Sequence, residues 1–255
     1  MKFLVTVPSP HVIFAKHVER WLKWIYEFED DTGHKVQLAL ETTPNRMDVS
    51  ISKCIELAKQ RRPAWWVRLD ADIWPESTFL EDFTNAMEDH DDLGFDVTCS
   101  PTLDMNGIVQ AERIGKLDPD PDRPFECTWA SGSLVFCPMK VLDRMKPVSV
   151  YKQKIAGEEV VMPLYLQTSY SKLQTSPLAL YIAEQRPTTT EDYDFCERVR
   201  ALGFKVCSDP RNLTRQMRPD TGIPSFRFGM SMGEPTEVVM VDAGEHPKAV
   251  TVNAR

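Results

Sequence analysis

Long hydrophobic runs are missing from this sequence. The longest candidate, Val160 to Leu166, is interrupted by Pro163 and falls far short of the roughly 18 apolar residues that cross a bilayer, so no transmembrane segment is expected. The N-terminal apolar stretch Phe3 to Val7 runs into Pro8 without a small-residue cleavage pattern, which argues against an export signal and for a cytoplasmic location. Paired cysteines are missing too. The six cysteines stand at 54, 99, 127, 137, 196 and 207 with no C-x-x-C pair, a spread that suits reduced core thiols rather than a zinc site or a disulfide framework. Positive charge is in short supply: 30 Lys and Arg against 38 Asp and Glu give a net charge of −8. This excludes a chain-wide basic footprint for nucleic acid and leaves room only for a local basic groove.

Several catalytic signatures are also absent. The chain contains no G-x-G-x-x-G, no G-x-x-x-x-G-K-[ST], no H-E-x-x-H and no G-x-S-x-G, which argues against dinucleotide oxidoreductases, P-loop enzymes, zincins and α/β-hydrolases. What remains is 255 residues of ordinary globular composition, 42% apolar and 27% charged. That suits one domain with an appendage.

The first half alternates strand and helix patterns. Lys2 to Pro8 reads as strand one, Lys35 to Leu40 as strand two and Trp65 to Leu69 as strand three. Between them, Val18, Trp21, Leu22, Ile25 and Phe28 repeat at helical spacing, as do Met47, Ile51, Ile55 and Ala58, and Phe79 to Met87 gives a third stripe. Ser9 with Pro10 is the expected start of the first helix, and the third is expected to begin near Pro75 to Glu76. The series predicts an α/β fold, a single Rossmann-like domain with a central, mostly parallel sheet flanked by helices. Further on, the sequence predicts a strand over Asp96 to Ser100, a hairpin-like stretch at Asn106-Gly107, a loop at Pro119 to Pro124 and a strand broken by a glycine turn over Cys127 to Cys137. A helix over Thr190 to Leu202, capped by Gly203, precedes a strand over Phe204 to Ser208. Tyr151 to Arg186 reads as loop-rich, and the tail from Gln216 as a flexible or partner-contacting extension.

Two acidic constellations could carry chemistry. Arg68-Leu69-Asp70-Ala71-Asp72 places carboxylates just past the end of the third strand. Residues two apart in extended chain point the same way, about 6 to 7 Å apart, so both can face one ligand, and hard oxygen ligands suit Mg²⁺ or Mn²⁺ carrying substrate phosphates. Ligands of open α/β sheets bind outside the carboxyl ends of the strands, which puts Pro8-Ser9, Glu41-Thr42 and Asp70 to Asp72 on one edge. The second is Thr190-Glu191-Asp192-Tyr193-Asp194-Phe195. Acidic residues in a first helical turn also serve the helix dipole, and Thr189 with Asp192 resembles a capping box. The alternative role is a general base for a substrate hydroxyl.

Taken in order, the strand ending in Pro8, Asn45-Arg46, Arg68 to Asp72, Ala130-Ser131-Gly132-Ser133, Glu191 to Phe195, Gly203 and Asp209-Pro210 resemble the GT-A fold glycosyltransferases, family 2-like members above all, over about residues 2 to 210. The resemblance implies a metal-dependent transfer of a sugar from a nucleotide-sugar to a hydroxyl acceptor, with inversion. Asp70 and Asp72 would serve the metal, Asp70 near the ribose and Asp72 as the ligand of Mn²⁺ or Mg²⁺. Pro8, Glu41, Arg46, Arg68, Ser131 and Gly132 would surround the nucleotide-sugar, with Trp129 able to stack on a sugar ring. Glu191 and Asp192 would supply the catalytic base, Asp192 being preferred over Glu191 and Asp194.

Many members carry a His after the Asp-Pro turn as a further metal ligand. Here Arg211, Arg215, Gln216 and Arg218 follow, and Arg215 and Arg218 could instead neutralise the leaving diphosphate. The expected organisation is a catalytic domain over 1–215, with a nucleotide half (1–100) and an acceptor half (101–215), and an extension over 216–255. A UDP-sugar leads the candidate donors. A glycan, a small molecule or a modified base of viral DNA are the candidate acceptors, the last because Arg211 to Arg227 is basic. A non-catalytic sugar-nucleotide or carbohydrate-binding protein of the same fold is the competing expectation, and a nucleotidyltransferase ranks lower because no Gly-rich loop follows strand one.

Overall fold

The computed structural model describes residues 1–9, 12–42, 47–75, 77–103, 111–115, 120, 122–155, 158–166, 168, 190–216, 237–242 and 250–253. It is a mixed α/β protein. Strands β1 (Lys2–Ser9), β3 (Lys35–Thr42), β4 (Trp65–Leu69), β6 (Val97–Cys99) and β13 (Val206–Ser208) run in one direction. β10 (Leu134–Pro138) runs against its neighbours β4 and β6, and β9 (Phe125–Ala130) runs against β13 and pairs with β8 (Ala111–Arg113). Among the described residues they form one eight-stranded sheet in the order β3-β1-β4-β10-β6-β13-β9-β8.

Side chains alternate across this sheet with period two, and two apolar layers result. Phe3, Val5, Val7, Trp65, Val67, Leu69 and Phe136 pack against helices α1 (Ala15–Thr32) and α3 (Phe79–Asp91) through Trp21, Trp24, Phe28, Phe79 and Phe83. Leu4, Trp66, Val135 and Cys137 face the other way, toward α2 (Met47–Arg61), α4 (Met139–Arg144) and α5 (Glu191–Ala201), with Ile51, Ile55, Leu142, Phe195 and Val199. The only polar atom of the Trp66 ring is satisfied inside this layer, Nε1–H donating to Thr6 Oγ1 at 2.9 Å. Arg68 lies on the same face as Trp66, two residues on. All six cysteines are buried free thiols, and burial pushes the Cys54 thiol up to about 12, so it stays protonated and unreactive.

The structure corrects four local expectations. Ser9 ends β1 rather than capping a helix. β2 (Val12–Phe14) follows, pairing with β15 (Glu237–Asp242), which in turn pairs with β16 (Val250–Asn253), and α1 starts at Ala15. α3 begins at Phe79, not near Pro75, because Thr78 and Glu81 close a full capping box and Ile73–Pro75 is a strand, β5. Tyr151 to Arg186 is not all loop: β11 (Ser149–Ile155) and β12 (Glu158–Leu164) form an antiparallel hairpin. The cap of α5 is Thr190, whose hydroxyl accepts from Tyr193 N–H, not Thr189, which lies outside the described residues together with Asn106-Gly107. Gly203 ends α5 at φ +86°, in the left-handed region that favours glycine. No helix among the described residues is long and apolar enough to cross a membrane.

Candidate functional site

The parallel strands deliver their carboxyl ends to one edge, and most of the expected residues meet there. Pro8 and Glu41 are register partners on β1 and β3, and Glu41 Oε1 accepts from Lys53 Nζ on α2 at 2.8 Å. Arg46 lies outside the described residues. One strand further, β4 ends at Leu69, and Asp70 N–H donates to the Ser133 carbonyl at 2.8 Å, which ties the Asp-x-Asp turn to the start of β10. Ile73 N–H closes the turn onto the Asp70 carbonyl at 3.2 Å. β5 then pairs with β14 (Thr214–Gln216), placing Arg215 opposite Trp74, and β14 pairs with β7 (Thr102–Leu103).

Arg68 joins the two acidic constellations. Because it shares the Trp66 face of β4, its guanidinium reaches the N-terminus of α5. Nε and Nη2 donate to the two oxygens of Asp70 at 2.8 and 2.9 Å, and Nη1 donates to Asp192 Oδ1 at 2.7 Å. One side chain, 1% exposed, thus holds Asp70 next door and Asp192, which lies 124 positions from Arg68 in sequence. Burial works against the Arg68 charge, but Asp70 and then Asp192 outweigh it and keep the guanidinium protonated. Arg68, for which the family resemblance implies a contact with the nucleotide-sugar, is enclosed here with its guanidinium on two carboxylates. Burial likewise raises the Glu191 carboxyl above its ordinary range, the charge of Asp192 adding to it.

Gly132 covers the ion pair. A Cβ there would stand well inside van der Waals contact with Arg68 Nη1 and Asp192 Oδ1, so any larger residue must push the ion pair aside. On either side of it, Ser131 and Ser133 are buried and share a hydroxyl bond at 2.8 Å. Ser131 Oγ–H also donates to Thr102 Oγ1 at 3.1 Å, and Thr102 and Thr214 hydroxyls meet at 3.0 Å. These contacts fasten the Ser131–Ser133 turn to the small β5-β14-β7 sheet. Thr102 and Thr214 carry no motif that sequence reading could have used.

The acidic residues divide by environment. Asp70 is buried and fully engaged by Arg68, whereas Asp72 is half-buried at the mouth of the turn. Asp192 keeps a fifth of its side chain exposed. Asp194 turns inward and pairs with Arg198 at 2.6 Å along α5, a helix-stabilising role. Trp129 is half-buried against the α2/α5 layer. Arg211, which follows the Asp-Pro turn, bonds Asp209 and points at α3, where it bonds Asp89 and Glu88. Among the described residues no group of three or more His, Cys, Asp or Glu side chains could hold a metal ion.

One buried residue beside the Asp-x-Asp turn escaped sequence reading. His17 on α1 is 1% exposed, and its Nδ1 is 3.1 Å from the carbonyl of Ala71, between the two aspartates. Burial lowers its pKa to about 4, so the ring is neutral and Nδ1–H is the donor. The signal was present: His17 falls in helical register with the buried Trp21, Trp24 and Phe28, a polar residue on an apolar stripe.

No family model and no curated protein matches the chain. Among solved structures it is similar to the crystal structure of A197 from STIV, at 11% identity and a TM-score of 0.51 over 87% of this chain and 88% of that one. A CMP:2-keto-3-deoxy-manno-octonic acid synthetase complexed with CTP aligns at 10% identity and a TM-score of 0.37, over 82% of this chain and 90% of that one. The likeness to A197 shows a shared fold and nothing finer.

Proposed function

We propose that this chain is a metal-dependent glycosyltransferase of the GT-A type, transferring a sugar from a nucleotide-sugar, a UDP-sugar first among candidates, to a hydroxyl acceptor with inversion. The observation that carries the reading is the Arg68 bridge: one buried guanidinium sets an Asp-x-Asp turn and a helix-N-terminal aspartate beside each other at the carboxyl edge of a parallel sheet. Pro8 and Glu41 line the neighbouring strand ends, where a nucleoside would lie. Arg215, itself buried, stands opposite Trp74 on the strand paired with the one that follows the Asp-x-Asp turn.

The donor set suits a cation that arrives with its nucleotide. Mg²⁺ and Mn²⁺ are commonly held by one or two carboxylates together with substrate phosphates and waters, and Asp72 with Asp70 behind it offers that and no dedicated cage. When bound, the cation would supply charge neutralisation at the diphosphate. The chain's own residues do the rest. Asp192, oriented by Arg68 through one oxygen, takes the acceptor proton on the other. Gly132 and the buried serines beside it form the floor on which donor sugar and acceptor meet. A modified-DNA acceptor loses one argument, since Arg211 is committed to three carboxylates and not to a phosphate.

A thermal-shift screen of UDP-, GDP-, ADP-, CMP- and dTDP-sugars with and without Mn²⁺ tests the donor site, because a ligand of the folded state raises stability by mass action. A metal-dependent shift with one nucleotide, absent in Asp72→Ala, is the expected result. No shift with any donor would move the reading to a binding protein of other specificity. Asp192→Asn is expected to bind the donor as wild type does and to lose transfer by about 10² to 10⁴.

A further inference from the structure

A loop carbonyl turned inward, such as that of Ala71 between the two aspartates, needs a donor from elsewhere. Two residues of α1 provide it. His17 donates Nδ1–H to the Ala71 carbonyl at 3.1 Å, and Arg20, three positions on along the same helix face, donates Nη2–H to the Pro75 carbonyl at 2.9 Å. The indole of Trp74 lies between them. Its centre is 5.6 Å from the His17 ring, which meets it edge-on, and 4.3 Å from the Arg20 guanidinium. Trp21 supports His17 from behind at 5.6 Å. The far side of the segment is fixed by the β5–β14 pairing. The stretch bearing both aspartates is therefore gripped at its middle and at its end by a helix more than fifty residues away in sequence.

We infer that His17 and Arg20 are positioning residues of the donor site: by holding the Ala71 and Pro75 carbonyls they fix the direction in which Asp72 presents its carboxylate. This rests on reading Asp72 as the residue that takes a cation together with a nucleotide diphosphate. Metal sites lose affinity when the groups that orient their ligands are removed, typically by 10- to 100-fold, and a carboxylate must be placed within about 0.5 Å to serve. The clamp acts through backbone, so the identity of Ala71 matters less than the position of its carbonyl.

The test uses the full chain in four forms: wild type, His17→Phe, His17→Asn and Arg20→Gln. Phenylalanine keeps an aromatic ring between Trp21 and Trp74 but has no N–H; asparagine keeps a donor near the Nδ1 position but loses the ring. Calorimetric titration with Mn²⁺ and the nucleotide found in the screen, UDP first, is combined with steady-state kinetics. Amide hydrogen exchange over residues 70–75 is followed in the ligand-free protein.

His17→Phe is expected to weaken Mn²⁺–nucleotide binding about tenfold, to raise KM for the donor in proportion with kcat changed less than about threefold, and to speed exchange at Ile73 N–H. His17→Asn is expected to recover most of the affinity, which a purely space-filling role for His17 would not allow. Wild-type affinity and wild-type exchange in His17→Phe overturn the inference while leaving the donor reading intact. If wild type binds no nucleotide with Mn²⁺, the donor reading fails on its own. Exchange in the ligand-free protein then decides alone: faster exchange at Ile73 supports the clamp, and unchanged exchange overturns it too. Should His17→Phe not fold, Arg20→Gln on the partly buried neighbour carries the same comparison with an expected loss of about threefold.

Discussion

Two strands of this sheet end in an aspartate served by an arginine, and the two ends have opposite characters. β4 runs into Asp70, and Arg68 bonds it and Asp192. β13 runs into Asp209, whose N–H donates to the Cys99 carbonyl, and Arg211 bonds it together with Asp89 and Glu88. At the first end the arginine is enclosed and the outer carboxylates, Asp72 and Asp192, reach the surface. At the second the arrangement is inverted: Asp89 and Asp209 are wholly buried, and the arginine keeps about a quarter of its side chain exposed. The second cluster pins the 210–212 turn onto α3, where Asn85 and Asn212 add a side-chain bond at 2.7 Å. An acid past the carboxyl end of a strand thus leaves carboxylates within reach of a ligand only where the chain around it stays open. The same Asp-Arg chemistry otherwise makes a clamp.

Removing each arginine separates the two roles. Arg68→Met leaves Asp70 buried with its two donors gone, and breaking a buried pair from one side costs about 3 to 5 kcal/mol, read from urea unfolding. Donor binding is expected to weaken because Asp70 loses both of its Arg68 bonds, and transfer to fail because Asp192 loses its orientation. Gly132→Ala attacks the same end from above. Its methyl must displace the guanidinium or the Asp192 carboxylate, with an expected cost of about 1 to 3 kcal/mol and a fall in transfer larger than the fall in donor affinity. Wild-type transfer in that variant would show that the Arg68–Asp192 contact is dispensable. Arg211→Met is expected to cost about 1.5 to 3 kcal/mol, since Asp89 keeps Thr98 Oγ1 and Asp209 keeps the Arg211 N–H. It should leave donor affinity within about twofold; a larger loss would place the Asp-Pro turn in the site after all.

The contrast also explains what the sequence could and could not disclose. The strands ending at Ser9, Thr42 and Leu69 and the stripes of α1 to α3 were legible because each buries one periodic face, and the shared edge followed from their common direction. The β11–β12 hairpin was not: Val150, Val160 and Val161 are exposed, so no clean alternation marks an inner face. Ser9 offered good helix-start chemistry, yet it remains in strand, since β1 pairs with β3 up to Thr42; Pro10 lies outside the described residues. The Asp-x-Asp turn and the Glu191-Asp192 pair were visible as motifs, but the guanidinium joining them was visible only as a charged residue in an apolar strand. A side chain's partners across 124 positions are set by which face of β4 it occupies, and that depends on the alternation begun at Trp65. Arg211 and Arg215 looked alike in sequence; one turns to α3 and the other lies on the strand beside Trp74.

The closed end makes the smallest prediction and the one most independent of function. Asp82 on α3 is buried, accepts from the Ser77 hydroxyl through one oxygen and has no partner on the other. Burial, with Glu81 and Asp209 nearby, pushes it up to about 7, and burial with Asp209 does the same for Asp89. In the unfolded chain both titrate near 4. Between those values the native state holds more protons than the unfolded state, so the stability these groups contribute is complete below about pH 4 and is lost as pH rises through 7. The protein is therefore expected to lose stability between pH 5 and 8 where a carboxylate held ionised by a partner would show no such loss. Asp82→Asn removes one of the two charges. Its Tm should match wild type below about pH 4, where Asp82 is protonated in both states, and rise above it as pH increases toward 8. An identical pH dependence in the two proteins would mean that Asp82 is ionised in the fold at neutral pH, and that the cluster around Arg211 is less closed than its burial makes it.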